Sequence, residues 1–276
     1  MLAPSSRSEE YLKRKRKILY IKMGLFLFVL VLIFIGLVYL SRIDRFRISN
    51  VEFSGGLLVS GQQVTKETLD FLNGNYFFFF PRNNVFLYPH DSLQNFLKDK
   101  FKRIDTISID TDNQKTIRIN ITERGMYALW CGEDQSSESS EKCYFMDDNG
   151  VVFSKAPLFS GDAYFKFYGF LSTSTDPIGN TYLASTTKFL DISRFVDRVK
   201  NTTNIKPVGL LVKGDGEYDL LLSQEGKVYF DDLQSFDKTA DNLETLLKTI
   251  GTSTDLTGID YIDLRFGNKV FYKLKQ

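Results

Sequence analysis

The chain is poor in residues that usually carry catalysis or bind transition metals. Among 276 residues it has a single histidine, His90, and two cysteines, Cys131 and Cys143. A histidine-activated nucleophile would have to use His90, which follows Pro89 at a predicted helix start and is more typical of a capping or surface residue. Besides the cysteines, only His90 could offer zinc a soft ligand. We therefore expect no catalytic residue, no metal site and no cofactor.

Other enzyme signatures are also missing. Gly214-Asp215-Gly216 stands between two predicted strands, so it indicates a hairpin turn and not a phosphate-binding loop. Two carboxylate pairs could suggest glycan cleavage, Asp147/Asp148 and Asp231/Asp232. Each pair stands at a turn or helix entrance, where Asp is common in any protein. We expect no enzyme and no small-molecule substrate, with an anchored cell-wall enzyme as a weaker alternative.

The charges are unevenly distributed along the chain. Residues 1 to 40 hold seven of the 35 basic residues and two of the 34 acidic ones, which leaves 28 bases and 32 acids in the rest. A mildly acidic body of this kind argues against nucleic acid as a ligand.

The segment Met23–Leu40 carries no charge in 18 residues. As a helix it would measure about 27 Å, close to the ~30 Å hydrocarbon core of a bilayer. A cleaved signal peptide is the alternative, but its apolar region would be shorter and a small-residue cleavage site would follow. We predict a transmembrane helix at 23–40 after a short disordered cytoplasmic tail at 1–22. Basic residues concentrate before this segment, which places the N-terminus in the cytoplasm and the bulk outside.

The two cysteines flank GEDQSSESSEK, a polar loop between strand-like segments. An oxidising exterior permits a disulfide between Cys131 and Cys143, and closing so short a loop would contribute about 3 kcal/mol. Two half-buried free thiols are the alternative.

The first half of the exterior predicts the order β-α-α-β-β. A strand ends at Gly55-Gly56, and a helix capped by Thr65 runs to Leu72, with Gly74 just beyond its end. A second helix starts at Asp91 or Ser92 and is followed by two strands that are joined near residues 112–114.

This module resembles a POTRA (polypeptide-transport-associated) domain, in the version found in the FtsQ/DivIB family of bacterial cell-division proteins. The matching segments are Val51–Gly55, Ile107–Asp110 and Ile119–Arg124. From the position of Glu123 onward the family usually has the sequence E-R-x-P-x-A. This chain has Met126 in place of the proline.

The second half continues the resemblance. Asp148-Asn149-Gly150 is a strong turn signal between two apolar runs, and Asp147, Gly150 and Phe153 match a D-x-x-G-x-x-F element of the family. A predicted helix over 186–202 places Leu190, Phe195, Val196 and Val199 on one face. Three strands, an acidic helix over 235–250 with Gly251 as its C-cap, and a last hairpin turning at Gly267-Asn268 follow.

The strand Tyr261–Phe266 resembles the Y-x-D-L-R-Y/F strand of the family. The resemblance implies an α+β protein with an anchor helix, a POTRA domain at 46–124, and a β domain at 125–276. In the β domain, helices would cover one face of a curved, mostly antiparallel sheet. It also implies a non-enzymatic divisome scaffold of the plasma membrane and division septum. The partners would be the small division proteins FtsL and FtsB/DivIC.

The last strand is the candidate partner-binding site. A terminal strand after a tight hairpin pairs on one side only, so its other side can accept an extended partner segment. The predicted contact residues are Phe266, Val270, Phe271, Tyr272, Lys273 and Leu274. A POTRA protein of envelope protein translocation or assembly is the alternative, although such proteins normally carry several POTRA repeats.

Two features remain unassigned in this interpretation. In the alternating pattern of its strand, Glu123 stands at a position where an apolar residue is expected. We expect Arg124 or a backbone N–H to partner its carboxylate. The aromatic run Tyr76–Phe80 predicts buried rings between two helices. Because five successive aromatic residues cannot all face one core, some of them could line a partner surface.

The charge distribution predicts the orientation in the membrane. A reporter fused to the C-terminus should be active only outside the cytoplasm, because the bases precede Met23. Paired fusions, to one enzyme active only outside and one active only inside, measure this. A fusion active solely in the cytoplasm would contradict the prediction.

Overall fold

The computed structural model describes residues 6–112, 115–135, 142–159, 161–171, 176–250 and 258–275. The chain divides into two compact units. The first comprises Met1–Lys98 and Thr106–Thr122, and the second Asp99–Asp105 and Glu123–Gln276. Helices and strands occur in both, which confirms the mixed α+β class.

A long helix, α1, spans Ser6–Ser41. Its part Tyr11–Ser41 is long and apolar enough to cross a membrane, and it contains the predicted segment 23–40. The expectation of a disordered tail was wrong for residues 6–22, which are helical. Extending an existing helix costs far less than starting one, and Lys and Arg are good helix formers. The apolar segment therefore continues as helix through the basic cluster.

The first unit combines a three-stranded sheet with two helices. After a 3-10 turn at Asp44–Phe46, its elements are β1 (Asn50–Ser54), α2 (Gly61–Leu72), β2 (Asn75–Tyr76), β3 (Phe80–Pro81), α3 (His90–Lys100), β4 (Ile104–Asp112) and β5 (Thr116–Glu123). The sheet order is β1-β5-β4, with β1 parallel to β5. The predicted strands and helices are present, and the short hairpin of β2 and β3 was not predicted.

The core of this unit follows the apolar periodicities. On β5, Ile117, Ile119 and Ile121 are buried and alternate with exposed residues. Val64 and Leu72 of α2 are also buried, as are Leu93 and Leu97 of α3. Burial of one stripe per helix against one face of the sheet is what fixes this arrangement.

The helix starts differ from those predicted. Ser60 caps α2, and its hydroxyl accepts the Gln63 N–H at 3.5 Å, so Thr65 lies inside the helix. The apolar periodicity begins only at Val64, one turn after the cap. This explains why the helix start was predicted several residues too far along the chain. Helix α3 begins at His90, so Asp91 lies in the first turn, where its charge suits the helix dipole.

Gly55 follows β1 and has a φ of +91°. A Cβ atom at this position would overlap the carbonyl oxygen of Ile121 on β5. The backbones of the two strands therefore approach closely only because residue 55 lacks a side chain.

Nine strands form one mixed sheet in the second unit. They are β6 (Ala128–Trp130), β7 (Tyr144–Met146), β8 (Val152–Lys155), β9 (Lys166–Tyr168), β10 (Pro207–Val212), β11 (Glu217–Leu222), β12 (Lys227–Asp231), β13 (Ile259–Phe266) and β14 (Lys269–Leu274). The spatial order is β14-β13-β12-β11-β10-β9-β6-β7-β8. Five neighbouring pairs are antiparallel and three are parallel, and β9 is parallel to both of its neighbours.

Two helices, α4 (Thr186–Thr202) and α5 (Phe236–Ile250), pack with the sheet in one apolar core. The rings of Phe195 on α4 and Phe230 on β12 lie 4.6 Å apart between centroids. Leu190, predicted to face inward, is 39% exposed, and Phe189 and Ile192 are buried instead. For α5 the helical period predicts Phe236, Ala240, Leu243, Leu247 and Ile250 to face inward; the last four are buried, and Phe236 is partly buried against the same core. The predicted C-cap, Gly251, lies outside the described residues.

Arg124 joins three segments of the second unit. Its backbone N–H donates to the Arg103 carbonyl at 2.8 Å and its Nε to the Lys102 carbonyl at 3.1 Å. Its Nη1 pairs with Asp147, and with Asp105 at 3.3 Å. Glu123 is half-buried at the end of β5, while Arg124, one of its two expected partners, is directed to these carboxylates.

The Asp147 carboxylate organises the turn between β7 and β8. Its side chain is only 3% exposed, and it accepts the N–H groups of Asn149 and Val151 at 3.0 and 2.8 Å. Within the same turn, Gly150 has a φ of +80°, and a Cβ there would lie 3.0 Å from the Phe189 ring. The aspartate and the glycine of the D-x-x-G pattern are therefore both explained by the geometry of this turn.

Removal of Arg124 should destabilise the second unit strongly. We expect Arg124→Ala to lower the free energy of unfolding by about 3–5 kcal/mol, because the buried Asp147 carboxylate loses its cation. The matched control is Arg194→Ala, which breaks an exposed pair with Asp191 on α4 and should cost about 1 kcal/mol or less. Urea unfolding of the purified chain in detergent micelles, followed by circular dichroism, measures both. Equally small losses for the two variants would contradict the structural role of Arg124.

Candidate partner-binding edge

The two edges of the nine-stranded sheet are treated differently by the fold. At one edge, β14 pairs with β13, and within the described part of the chain no strand pairs with its other side. At the opposite edge, the backbone of Val152 on β8 bonds to the Gly179 N–H at 2.7 Å and to the Asn180 carbonyl at 2.9 Å. A loop therefore bonds to the first residue of β8, whereas no described strand bonds to the outer side of β14.

A tight turn sets the position of β14. Gly267 has a φ of +66°, and a positive φ at the first central residue is typical of a type II′ hairpin turn. The Gly267 carbonyl accepts the side-chain amide of Asn242 on α5 at 3.0 Å. The turn is thus fixed both by its own geometry and by the helix beside it.

The direction of the β14 backbone groups follows from one hydrogen bond. The Lys275 N–H donates to the Gly258 carbonyl, on the β13 side, at 2.6 Å. The two register irregularities of this pair fall where β13 has an extra residue, so β14 itself is regular. Since backbone groups of alternate residues point to the same side, Phe271 and Lys273 bond toward β13. The outward N–H and C=O groups belong to Val270, Tyr272 and Leu274.

The five apolar and aromatic side chains among the six predicted contact residues divide into two groups. Val270 and Leu274 are partly buried and pack against the core on the helix-covered face. Three aromatic residues are exposed: Phe266 at 56%, Phe271 at 51% and Tyr272 at 46%. The rings of Phe266 and Phe271 meet edge to face, 5.2 Å apart. The strand is therefore anchored by two aliphatic residues and presents aromatic surface next to its open backbone.

Lysines line the same strand. Lys273 Nζ lies 2.8 Å from Asp260 on β13, and this hydrogen bond raises the pKa of the Lys273 ammonium. Lys269 is exposed, and Lys275 Nζ donates to the Gln224 carbonyl. Positive charge along an open edge discourages pairing with a second copy of itself and favours an acidic segment.

A polar cluster behind the edge was not anticipated from the sequence. Arg265 on β13 bonds to Asp263 at 2.6 Å and to Glu217 on β11 at 3.3 Å, and its guanidinium lies 5.4 Å from the Tyr229 ring centroid. Burial acts to raise the pKa of Asp263, but the hydrogen bonds from Arg265 outweigh it and hold that pKa below its ordinary value. The cluster ties β13 to β12 and β11 and so supports the strand that carries β14. The available signal was the two charged residues Asp263 and Arg265, which stand among apolar residues in the second half of the strand.

The two cysteines form a disulfide in the structure. Cys131 follows β6 and Cys143 precedes β7, which are antiparallel neighbours. The Cys131 N–H donates to the Phe167 carbonyl at 2.9 Å, and the Cys143 carbonyl accepts the Ala156 N–H at 3.0 Å. The bond closes the hairpin at residues whose backbones are already held by neighbouring segments.

The residues considered for chemistry have structural neighbours. His90 Nδ1 lies 2.9 Å from Asp91 and Nε2 lies 3.1 Å from the Ile109 carbonyl, and the bond with Asp91 raises the pKa of His90. Asp231 accepts the Leu233 N–H at 3.2 Å, and Asp232 pairs with Lys188 at 2.6 Å. In the ranges that the structure describes, no three metal-binding side chains come together.

The aromatic run forms the β2–β3 hairpin. The expectation of buried rings was wrong for Phe77 and Phe78, which are 84% and 89% exposed, and Phe79 is 47% exposed. Tyr76 and Phe80 are half-buried and pair across the hairpin. A two-strand turn leaves its tip residues without a core to face.

Comparison with known proteins adds no assignment: no protein-family model matches the chain, and no curated protein matches it. The fold and the edge define a mixed α+β protein with one N-terminal helix able to cross a membrane and a large mixed sheet with an open terminal strand.

Proposed function

We propose that the protein is a single-pass membrane scaffold of the bacterial divisome, of the FtsQ/DivIB type. The observation that carries this proposal is the β14 edge, which is open on one side, lined by lysines and backed by exposed aromatic rings. Scaffold proteins that bind by strand addition need such an edge on a sheet that is otherwise protected. The β8 edge of the same sheet, where a loop bonds to the first residue of the strand, shows the contrast.

The order of elements supports the family assignment. An apolar helix precedes a unit with sheet order β1-β5-β4 and a parallel β1–β5 pair, and we assign this unit as a POTRA domain. The nine-stranded sheet with α4 and α5 is assigned as the β domain of the family. In this proposal α1 spans the plasma membrane with its basic end in the cytoplasm, and the part of the chain that follows α1 lies outside.

The proposed partner is an FtsB/DivIC-type protein, with an FtsL-type protein in the same assembly. An extended segment of the partner would pair with the outward backbone groups of Val270, Tyr272 and Leu274. Main-chain hydrogen bonds supply affinity in this mode, and side-chain contacts supply specificity. Phe271 and Phe266 would contact apolar partner residues, and the lysines favour an acidic segment.

The backbone contribution of Tyr272 can be tested alone. Tyr272→Pro removes one outward N–H donor, whereas Tyr272→Ala removes the ring and keeps that donor. We expect the proline variant to lose binding to the purified exterior of an FtsB/DivIC-type protein at least tenfold more than the alanine variant, since about 1.4 kcal/mol corresponds to tenfold. Isothermal titration calorimetry measures both affinities.

The control for this test is Lys273→Pro. Its N–H points toward β13, so this variant should lower the melting temperature, whereas Tyr272→Pro should melt near wild type. Wild-type affinity in a folded Tyr272→Pro variant would contradict strand addition at β14.

The divisome assignment predicts a location in the cell. A fluorescent protein fused to the N-terminus should concentrate at the division septum of the bacterium that encodes the chain. Fluorescence spread evenly over the plasma membrane through the division cycle would contradict the division role and leave the anchor assignment intact.

A further inference from the structure

The tip of the β2–β3 hairpin lies against the apolar part of α1. The ring of Phe34 meets those of Phe79 and Phe80 edge to face, with centroids 5.5 and 5.8 Å apart. All three residues belong to the first unit. The contact therefore fixes where the hairpin stands along the helix.

The position of Phe34 gives the depth of that contact. It lies six residues before Leu40, the last residue of the predicted transmembrane segment. At ~1.5 Å per residue, Phe34 is about 9 Å inside the end of this stretch. If α1 crosses a bilayer, an aromatic ring in contact with Phe34 lies below the headgroup level, within the outer part of the hydrocarbon.

Backbone polar groups of the hairpin tip are hydrogen-bonded within the protein. Phe77 and Phe78 have φ values of +46° and +66°, and the Phe79 N–H donates to the Tyr76 carbonyl at 3.0 Å. Arg42, just after the uncharged stretch, donates to the carbonyls of Phe78 and Phe79 at 3.3 and 3.2 Å. Backbone polar groups enter a membrane only when they are satisfied internally, and here a tight turn and one arginine satisfy three of them.

Further exposed apolar residues stand at the same end of the unit. Phe86 is 74% exposed, and its ring centroid lies 5.5 Å from that of Phe46, in the 3-10 turn after α1, with the two rings tilted. Leu87 is 41% exposed. These residues add exposed apolar surface close to the C-terminal end of α1.

We propose that the hairpin tip, residues 77–79, inserts into the outer leaflet beside α1 as a second membrane contact, with the acyl chains of the lipid bilayer as its partner. The proposal rests on the proposed role of α1 as a membrane anchor. It gives the exposed rings of Phe77 and Phe78 an apolar surrounding. It also fixes the first unit to the membrane surface, because one helix alone leaves a domain free to rotate and tilt.

Tryptophan substitutions in the full chain, reconstituted in phospholipid vesicles, test the insertion. Phe78→Trp reports on the tip, and Leu30→Trp reports on the middle of the uncharged segment 23–40 of α1. Leu57→Trp is the matched control, because Leu57 is 94% exposed and follows β1, which carries the chain about 13 Å from Asn50. Emission is recorded with ordinary lipids and with lipids brominated on their acyl chains, and the spectrum of the parent chain with Trp130 is subtracted.

We expect Phe78→Trp to emit at shorter wavelength than Leu57→Trp and to lose a share of its intensity to brominated lipids comparable with that lost by Leu30→Trp. Leu57→Trp should be unquenched. A quenched Leu30→Trp with an unquenched, long-wavelength Phe78→Trp would overturn the insertion and leave the anchor, with the rings then free for a protein partner. An unquenched Leu30→Trp would overturn the anchor and the insertion together.

Discussion

The ion pair between Arg124 and Asp147 is the interaction on which the arrangement of the second unit depends. Arg124 directly follows β5, and it binds the carbonyls of Lys102 and Arg103 next to the start of β4. Asp147 in turn holds two N–H groups of the β7–β8 turn. A charged pair this well buried is costly to desolvate and is tolerated because almost every polar atom around it is hydrogen-bonded. One arginine thereby specifies where three segments that are distant in sequence meet.

The two edges of the nine-stranded sheet are protected in different ways. The loop that contains Gly179 and Asn180 bonds to the Val152 backbone at the start of β8, while β14 carries exposed lysines along its length. An edge kept open in this manner avoids self-association and stays available to a segment of the right charge. The cluster of Arg265, Asp263 and Glu217 stiffens the strands behind it, so a bound strand would meet a preformed template.

Much of the fold was readable from short-range patterns. Alternation in residues 116–123, the three apolar runs after α4, the helical period of α5, and the turn at Gly267-Asn268 all predicted what the structure contains. The misses have a common physical origin. The cap at Ser60 precedes its apolar pattern by a turn, and α4 buries Phe189 and not Leu190 because packing in the tertiary core selects its buried face. The partners of Arg124 and Arg265 depend on tertiary contacts that no local pattern records. The edge strand was predicted from the hairpin turn at Gly267-Asn268, whereas the contact of Phe79 with Phe34 joins residues far apart in sequence.

The short strand β9 has a consequence for how the large sheet forms. Strands β6–β8 make one locally connected set, strands β10–β14 contain another, and the two sets touch through the three residues Lys166–Tyr168, parallel to both sides. Local antiparallel hairpins form quickly, while parallel pairings between distant segments wait for loop closure. We therefore expect the pairings of β9, with Phe167 buried at its centre, to form later than the hairpins on either side. The completed sheet is held together by these pairings and by the apolar core that both sets share with α4 and α5.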